Sequence, residues 1–485
     1  MEKNKDMETE NIKSKKIKCG LEIHQQLNSH KLFCNCPSIL RNDTPEFEIK
    51  RKLHAVAGES GEVDVAAQFE AGQDREFIYQ GYDTTCLVEL DECPPYLINQ
   101  EALQIVLHIA LLLNCEIIPI TQIMRKTVVD GSNTSGFQRT LLIARNGYVE
   151  TNSGRVRIDS IGLEEDAARI VEKRGKEKVY NLDRLGIPLI EIGTAPDITS
   201  AEQCKEVALY LGDVLRSCKV KRGIGTIRQD VNISIENHPR VEIKGFQDVK
   251  MFIDVINNEV KRQEENLKSK KKLIGEVRNA NIDGTTSFLR PMPGASRMYP
   301  ETDLPLLKIS KQIIDEAKRT LPKSREEIRK ELTKKGLSEE QIKILLKEDK
   351  LEEFEILLKI LNEPKTIFKI LIEIPKEVSS HEGIENIEGF IDLEKLEKIA
   401  ELVSQKKIEI NDVKYIFVNL IKGIAFENAI KIEKTDLGEI EQEIVKIVKG
   451  KPGLSVGGYM GLIMTKFKGK VNGKEAGEIL KRLIK

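Results

Sequence analysis

The chain lacks any apolar run near the roughly 18–20 residues that a membrane-spanning helix needs, so no membrane anchor is expected. It also lacks net charge. Lys and Arg number 77 against 78 Asp and Glu, and the formal charge of -1 excludes a whole-chain electrostatic grip on nucleic acid. DNA binding is not expected, and any RNA contact must come from a local patch. Cysteine is sparse, with eight in 485 residues and no secretory leader, which points to a reducing cytoplasm. The G-x-x-x-x-G-K-[ST] phosphate loop is absent, as are the G-x-S-x-G elbow and a Ser-His-Asp order. Nucleophilic hydrolase chemistry is therefore disfavoured.

What is present is ordinary for a soluble globular protein, with 40% hydrophobic and 32% charged residues. The length predicts two to four domains. Residues 1–16 are charged and almost without apolar content, the composition of a disordered tail. From Ile17 to about Leu304, strand-like alternation mixes with Gly-rich turns and a few helices, one of them an all-round apolar helix near 100–113. His108 lies in that helix and reads as a core histidine. After Leu306 the composition turns to Lys, Glu, Ile and Leu at helical spacing, with Ser324 and Ser338 placed as N-caps. A break is expected at Pro375–Gly383, with a second helical array from about Asp392. The predicted domains are thus 17–305, 306–391 and 392–485.

The stretch KCGLEIHQQL (18–27) separates two kinds of residue. Side chains alternate along a strand, so Cys19, Leu21, Ile23 and Leu27 fall on one face and Glu22, His24 and Gln26 on the other. The first face is core; the second can offer a carboxylate and an imidazole to one cation, with Gln26 beside them. Further along, Arg125 and Lys126 precede a loop of Gly, Ser, Asn and Thr able to cradle a phosphate or carboxylate. Three acidic segments follow. Glu164, Glu165 and Asp166 are consecutive, and Glu191 interrupts an apolar strand, where a carboxylate is costly unless paired or metal-bound. IRQDVNISI and RVEIK form an expected hairpin with Arg228, Asp230, Asn232 and Ser234 on one strand face and Glu242 and Lys244 on the other strand's. Carboxylates from several strands facing one cleft suit Mg²⁺ with a nucleotide. Cys34, Cys36, Cys86 and Cys93 could close a tetrahedral zinc site, although reduced thiols are the simpler state.

Taken together, GLEIHQQL, KLFCNCPS, MRKTVVDGSNTSGFQRT, LEEDAARI, NLDRLGIPLIEI, RQDVNISI and RPMPGASRMYPETDLP closely resemble the E-type component (GatE) of the archaeal glutamyl-tRNA(Gln) amidotransferase. They resemble the B-type component (GatB) of the bacterial and organellar enzyme more distantly. The resemblance runs from about Ile17 to Lys485. It implies an α+β fold: a cradle-shaped mixed α/β core with mainly antiparallel sheet, then an all-helical domain and a small helical tail domain. It implies ATP-dependent conversion of Glu-tRNA(Gln) to Gln-tRNA(Gln), in which ATP phosphorylates the γ-carboxylate and ammonia displaces the phosphate. The implied cofactors are ATP and Mg²⁺, and the implied partner is the asparaginase-like D-type component, in a heterodimer or dimer of heterodimers. The implied metal positions are Glu22, His24, Glu165, Glu191 and Glu242. Lys126 would bind phosphate or the substrate carboxylate, with Arg125, Arg228, Asp230, Asn232 and Lys244 completing the catalytic cleft. In the tail, Lys466, Lys468, Lys470, Lys474, Lys481 and Arg482 would meet the tRNA backbone.

The chain departs from the family in one respect. The inserted domain that the E-type component ordinarily carries ahead of the RPMPG segment is missing, replaced by a short Lys-rich stretch before Gly284. Two other readings compete: a B-type component working with an amidase partner, and a tRNA-binding homologue without chemistry. The retained Glu22, His24, Glu165 and Glu191 argue against the second, because a dead site has no need of a costly carboxylate.

Overall fold

A computed structural model describes residues 17–54, 61–63, 65–223, 225–246, 248–269, 273–292, 298–348, 350–384, 387, 389–431, 437–466 and 473–483. The expected disordered tail lies outside them. The chain divides into two compact units, Met1–Arg325 and Glu326–Lys485.

The first unit is built on one large sheet. Apart from the short Glu116–Ile117, which pairs off the main path, its strands in chain order are β1 (Ile17–Gln26), β2 (Met124–Thr127), β3 (Phe137–Thr151), β4 (Gly154–Glu165), β5 (Pro188–Thr194), β6 (Ile227–Ile235), β7 (Val241–Lys244), β8 (Glu276–Ala280), β9 (Thr286–Pro291) and β10 (Met298–Pro300). They lie side by side in the order β9-β8-β7-β6-β1-β5-β4-β3-β2-β10. Every pairing along this path is antiparallel except β7 with β8. The first strand is therefore central. The expected hairpin of β6 and β7 is present, with Asn232 opposite Glu242.

The alternation in β1 folds as its sequence dictates. Cys19, Leu21 and Ile23 are almost wholly buried on the core face. Helices α1 (Gln100–Leu112), α2 (Ala201–Arg216) and α3 (Met251–Lys268) supply apolar residues to the same core, as does Ala317 of a later helix. Asn99 and Ser200 cap the first two by accepting from the Ala102 and Gln203 amides. Helix α1 is the apolar helix expected near 100–113. His108 is half-buried in it and lies 2.9 Å from the Thr320 hydroxyl. The helices leave the opposite face of the sheet to its polar residues. A smaller sheet of Phe47–Arg51, Glu76–Gly81, Glu177–Asn181 and Arg169–Arg174 has its own apolar cluster around Tyr79 and Tyr180. Helix Lys311–Arg319 packs on α1, so the expected boundary at 305/306 falls inside the first unit.

The regular elements of the second unit are all helices among its described residues. Ser338 caps Glu339–Lys347 in the expected capping box with Gln341. One apolar cluster runs from Leu332 to Ala429, through the expected boundary at 391/392. A second joins Leu437–Gly450, Val456–Lys466 and Gly473–Leu483. Pro375 does not break the chain. A π-helical turn at Lys369–Glu373 leads into helix Ile374–Glu382, where Pro375 sits in the first turn and its missing N–H costs little. The helix ends at Gly383, whose φ of 69° suits the left-handed cap.

Candidate functional site

The polar face of the sheet gathers ionisable groups from β1, β2, β4, β5, β6 and β7 around His24. Because β1 runs antiparallel to both neighbours, Glu191 of β5 lies directly opposite His24, and Asp230 of β6 lies opposite Glu22. The Nε2 atom of His24 is 3.4 Å from Glu22, 3.7 Å from Glu191 and 3.7 Å from Glu164. Lys126 of β2 closes one side, 2.6 Å from Glu164 and 3.6 Å from Glu191. Lys244 of β7 closes the other, 2.6 Å from both Asp230 and Glu242.

The electrostatics follow from this crowding. Burial disfavours charge on His24, but Glu191, Glu164 and Glu22 outweigh it and raise its pKa. The pKa of Glu22 is also raised, by burial first and then by Glu191. Glu191 moves the other way: burial would raise it, but His24 and Lys126 hold it well below the usual carboxylate range. Lys244 is buried, yet Asp230 and Glu242 push its pKa up. The carboxylates of Glu22, Glu164, Glu191, Asp230 and Glu242 thus face two lysines and one imidazole.

Two sets of these groups bring their ligand atoms within 4.8 Å of one another: His24 with Glu164 and Glu191, and Glu22 with His24 and Asp230. Both share His24. Oxygen donors in excess of the local cations, with one imidazole, fit a hard divalent ion such as Mg²⁺. Beyond Glu22 and Glu191 the face opens into a cleft of about 410 Å³, lined by Lys18, Ser160, Asn232, Ser234 and Arg240 among others. A Cβ on Gly193 would come within 3.1 Å of the Ser160 hydroxyl, so this glycine keeps the floor of the cleft clear.

Most of the expected cleft residues meet here: Glu22, His24, Lys126, Glu191, Asp230, Glu242 and Lys244, with Asn232 lining the adjoining cleft. Three require correction. Glu165 does not face His24; it lies one residue further along β4, on the opposite face, and pairs with Arg139 at 3.4 Å. Its neighbour Glu164 takes the place. Arg125 is likewise turned to the other face, paired with Glu301 and lying 3.2 Å from Asp303. Gln26 is buried and spends its amide N–H on Asp166 at 2.6 Å, so it does not line the open site. Arg228 reaches the same Asp166 at 2.9 Å, which makes Asp166 a buried tie between strands that the sequence pattern did not reveal.

The cysteine group also differs from expectation. Cys34, Cys36 and Cys86 converge with Glu89, their ligand atoms within 4.8 Å, while Cys93 is exposed and outside the group. Hydrogen bonds from the Cys34 and Cys36 thiols pull the Cys86 thiol well below its usual range. Three soft sulfurs and a carboxylate suit zinc. Glu89 is also paired with the buried Lys31.

In the tail, Lys481 and Arg482 are exposed in the last turn of Gly473–Leu483. Lys466 and Lys474 are placed only as positions on their helices, and Lys468 and Lys470 lie outside the described residues.

Residues 17–315, which carry the central sheet and the carboxylate cluster, match the family model of the GatB/GatE catalytic domain. The chain belongs to that family. Along its length it is similar to the E-type component of glutamyl-tRNA(Gln) amidotransferase from Methanocaldococcus jannaschii, at 36% identity over 97% of this chain and 98% of the relative. The proteins of the same description from Pyrobaculum arsenaticum and Methanosarcina acetivorans are 34% and 33% identical, over 94% and 96% of this chain and 97% of each relative. The first of these alignments spans 626 positions against 485 residues here, so that relative carries sequence that this chain lacks. This agrees with the missing insert.

Proposed function

We propose that this chain is the component of a glutamyl-tRNA(Gln) amidotransferase that activates and amidates the glutamyl group. The observation that carries this is the packing of Glu22, Glu164, Glu191 and Asp230 around His24 between Lys126 and Lys244. The γ-carboxylate and ATP are both anionic and must approach each other, so phosphoryl transfer depends on positioning and charge neutralisation. Glu22, His24, Glu164 and Glu191 would hold Mg²⁺, with Asp230 and Glu242 beside them. The ion would neutralise phosphate charge there. Lys126 would exchange part of its contact with Glu164 for a phosphoryl or carboxylate oxygen, and Lys244 would hold Asp230 in place. The cleft beyond Glu22 gives the tRNA-linked amino acid a route in and limits water around the acyl phosphate. Ammonia then attacks the carbonyl carbon of the γ-acyl phosphate, forming the amide C–N bond as the C–O bond to phosphate breaks, and a proton leaves the nitrogen.

The ammonia would come from an asparaginase-like D-type component in a heterodimer or dimer of heterodimers, in the cytoplasm. The basic tail helices would hold the tRNA backbone, and Cys34, Cys36, Cys86 and Glu89 would hold a structural zinc ion. Among the described residues no helix is long and apolar enough to cross a membrane. The test is formation of Gln-tRNA(Gln) from Glu-tRNA(Gln) with ATP and ammonium chloride in place of a partner. Turnover that needs ATP supports the reading, and its absence with saturating tRNA overturns it.

A further inference from the structure

Of the segment RPMPGASRMYPETDLP, the described residues 298–305 bring no ligand atom to the carboxylate cluster, yet they are built into the sheet beside it. Residues Met298–Pro300 form edge strand β10 and pair with β2, with Met298 opposite Lys126 and Tyr299 opposite Arg125. The Glu301 amide then donates to the Ile123 carbonyl at 2.9 Å. Without this segment β2, only four residues long, would be an edge strand held on one side.

Glu301 does more than extend the ladder. Its side chain is fully buried and accepts from two guanidinium groups, Arg125 and the Nε of Arg139, the latter at 2.8 Å. The Asp303 amide donates to the same carboxylate at 2.9 Å. Arg139 also contacts Glu165 at 3.4 Å. Both guanidiniums also lie over the Phe137 ring, 4.5 Å (Arg125) and 5.1 Å (Arg139) from its centroid. These groups occupy the opposite face of β2, β3 and β4 from the cluster. Each cluster residue on β2 and β4 has a network residue beside it in sequence: Arg125 next to Lys126, and Glu165 next to Glu164. A register slip of one residue would therefore carry Lys126 out of the site and Arg125 into it.

A buried ion network of this kind contributes little net stability compared with apolar packing, because desolvation offsets most of the attraction. What it supplies is a fixed register. We propose that Glu301 is a positioning residue for Lys126: by clamping Arg125 behind the sheet, it fixes the short strand that presents the Lys126 ammonium to Glu164 and Glu191. The proposal rests on the transamidation reading for its activity arm, and on divalent-ion binding for an arm independent of turnover.

The test is a double-mutant cycle of Glu301→Gln with Lys126→Met in the full-length protein, reading kcat with ammonium chloride and the Kd for Mn²⁺. In the wild-type background Glu301→Gln is expected to lower kcat by on the order of tenfold to a hundredfold with KM for ATP little changed. It should also tighten Mn²⁺ binding several-fold, because the Lys126 ammonium no longer competes for the two carboxylates. Both effects should vanish in the Lys126→Met background, where there is no ammonium left to position. Equal losses in the two backgrounds, or weaker Mn²⁺ binding in Glu301→Gln, would mean that Glu301 only stabilises the fold, and the proposal fails. If Glu301→Gln does not fold, Arg125→Met, which leaves Glu301 paired with Arg139, is run through the same cycle with the same outcomes. A wild-type protein that binds Mn²⁺ but does not turn over sinks the transamidation reading while leaving the Mn²⁺ arm to decide for or against Glu301.

Discussion

Lys126 and Glu164 stand two strands apart across β3 and meet at 2.6 Å on the polar face of the sheet, while their chain neighbours Arg125 and Glu165 point to the other face. One residue of register thus separates the candidate active site from a buried ion network. The two adjacent glutamates should behave in opposite ways when mutated.

Glu164→Gln is expected to weaken Mg²⁺ or Mn²⁺ binding and to lower amidation by about 10²–10³, the usual cost of one well-placed electrostatic group, with an unchanged melting temperature. Glu165→Gln should leave metal affinity within a few-fold and destabilise the fold by about 1–3 kcal/mol, because Arg139 loses a buried carboxylate charge and one of its two acceptor oxygens. Calorimetry and a metal titration on both variants check this. The assignment of Glu164 to the cleft is lost if Glu165→Gln is the variant that stops binding metal.

The central imidazole gives a second expectation. His24 is in contact with Glu22, Glu164 and Glu191, and truncating it or neutralising Glu191 removes a ligand atom from the middle of the cluster. His24→Ala and Glu191→Gln should each reduce ATP-dependent amidation by orders of magnitude while circular dichroism stays native. Near-wild-type turnover in either folded variant removes the cluster from the mechanism.

How much of this was legible in the sequence depended on whether one strand or several strands decided the outcome. The alternation of Leu21, Glu22, Ile23 and His24 is a property of β1 alone, and it separated the buried core face from the polar face correctly. Glu191 stood out because a lone carboxylate in an apolar strand needs a partner. The choice among Glu164, Glu165 and Asp166 was not legible. It depends on where β4 ends and on the register shift between Leu142 and Ala144 in β3, neither of which its own residues announce. Arg125 and Lys126 posed the same problem, since two adjacent cations on a strand cannot both face one cleft. Glu89 was hidden for another reason: cysteine spacing drew attention to Cys93, while the turn after Cys86 folds Glu89 back so that it accepts from the Cys86 amide at 2.9 Å.

The cysteine group leads to a prediction about metal content. Protein purified without chelator should carry about one zinc per chain, and Cys86→Ser or Cys34→Ser should lose it. Cys93→Ser should retain it, because Cys93 is exposed and apart from the group. Elemental analysis of the three variants is the check, and zinc loss from Cys93→Ser alone would return the fourth ligand to cysteine.

The last expectation concerns the tail and the missing insert. A chain without net charge can hold tRNA only where its cations are concentrated. The final helices carry such a concentration, with Lys481 and Arg482 exposed in the last turn and Lys466, Lys468, Lys470 and Lys474 nearby in sequence. Each lysine that neutralises a phosphate releases counterions, so it contributes somewhat below one unit to the log–log dependence of affinity on salt. Changing Lys466, Lys468 and Lys470 together to Ala should therefore flatten that slope by roughly 2–3 units, while turnover at saturating tRNA is kept. Where a relative carries an extra domain that also grips tRNA, the same change should cost less affinity. Salt titrations on both proteins decide the matter. An equal loss in the two would mean that the tail does not compensate for the absent domain, and an unchanged slope here would reduce the basic tail to a solvated surface.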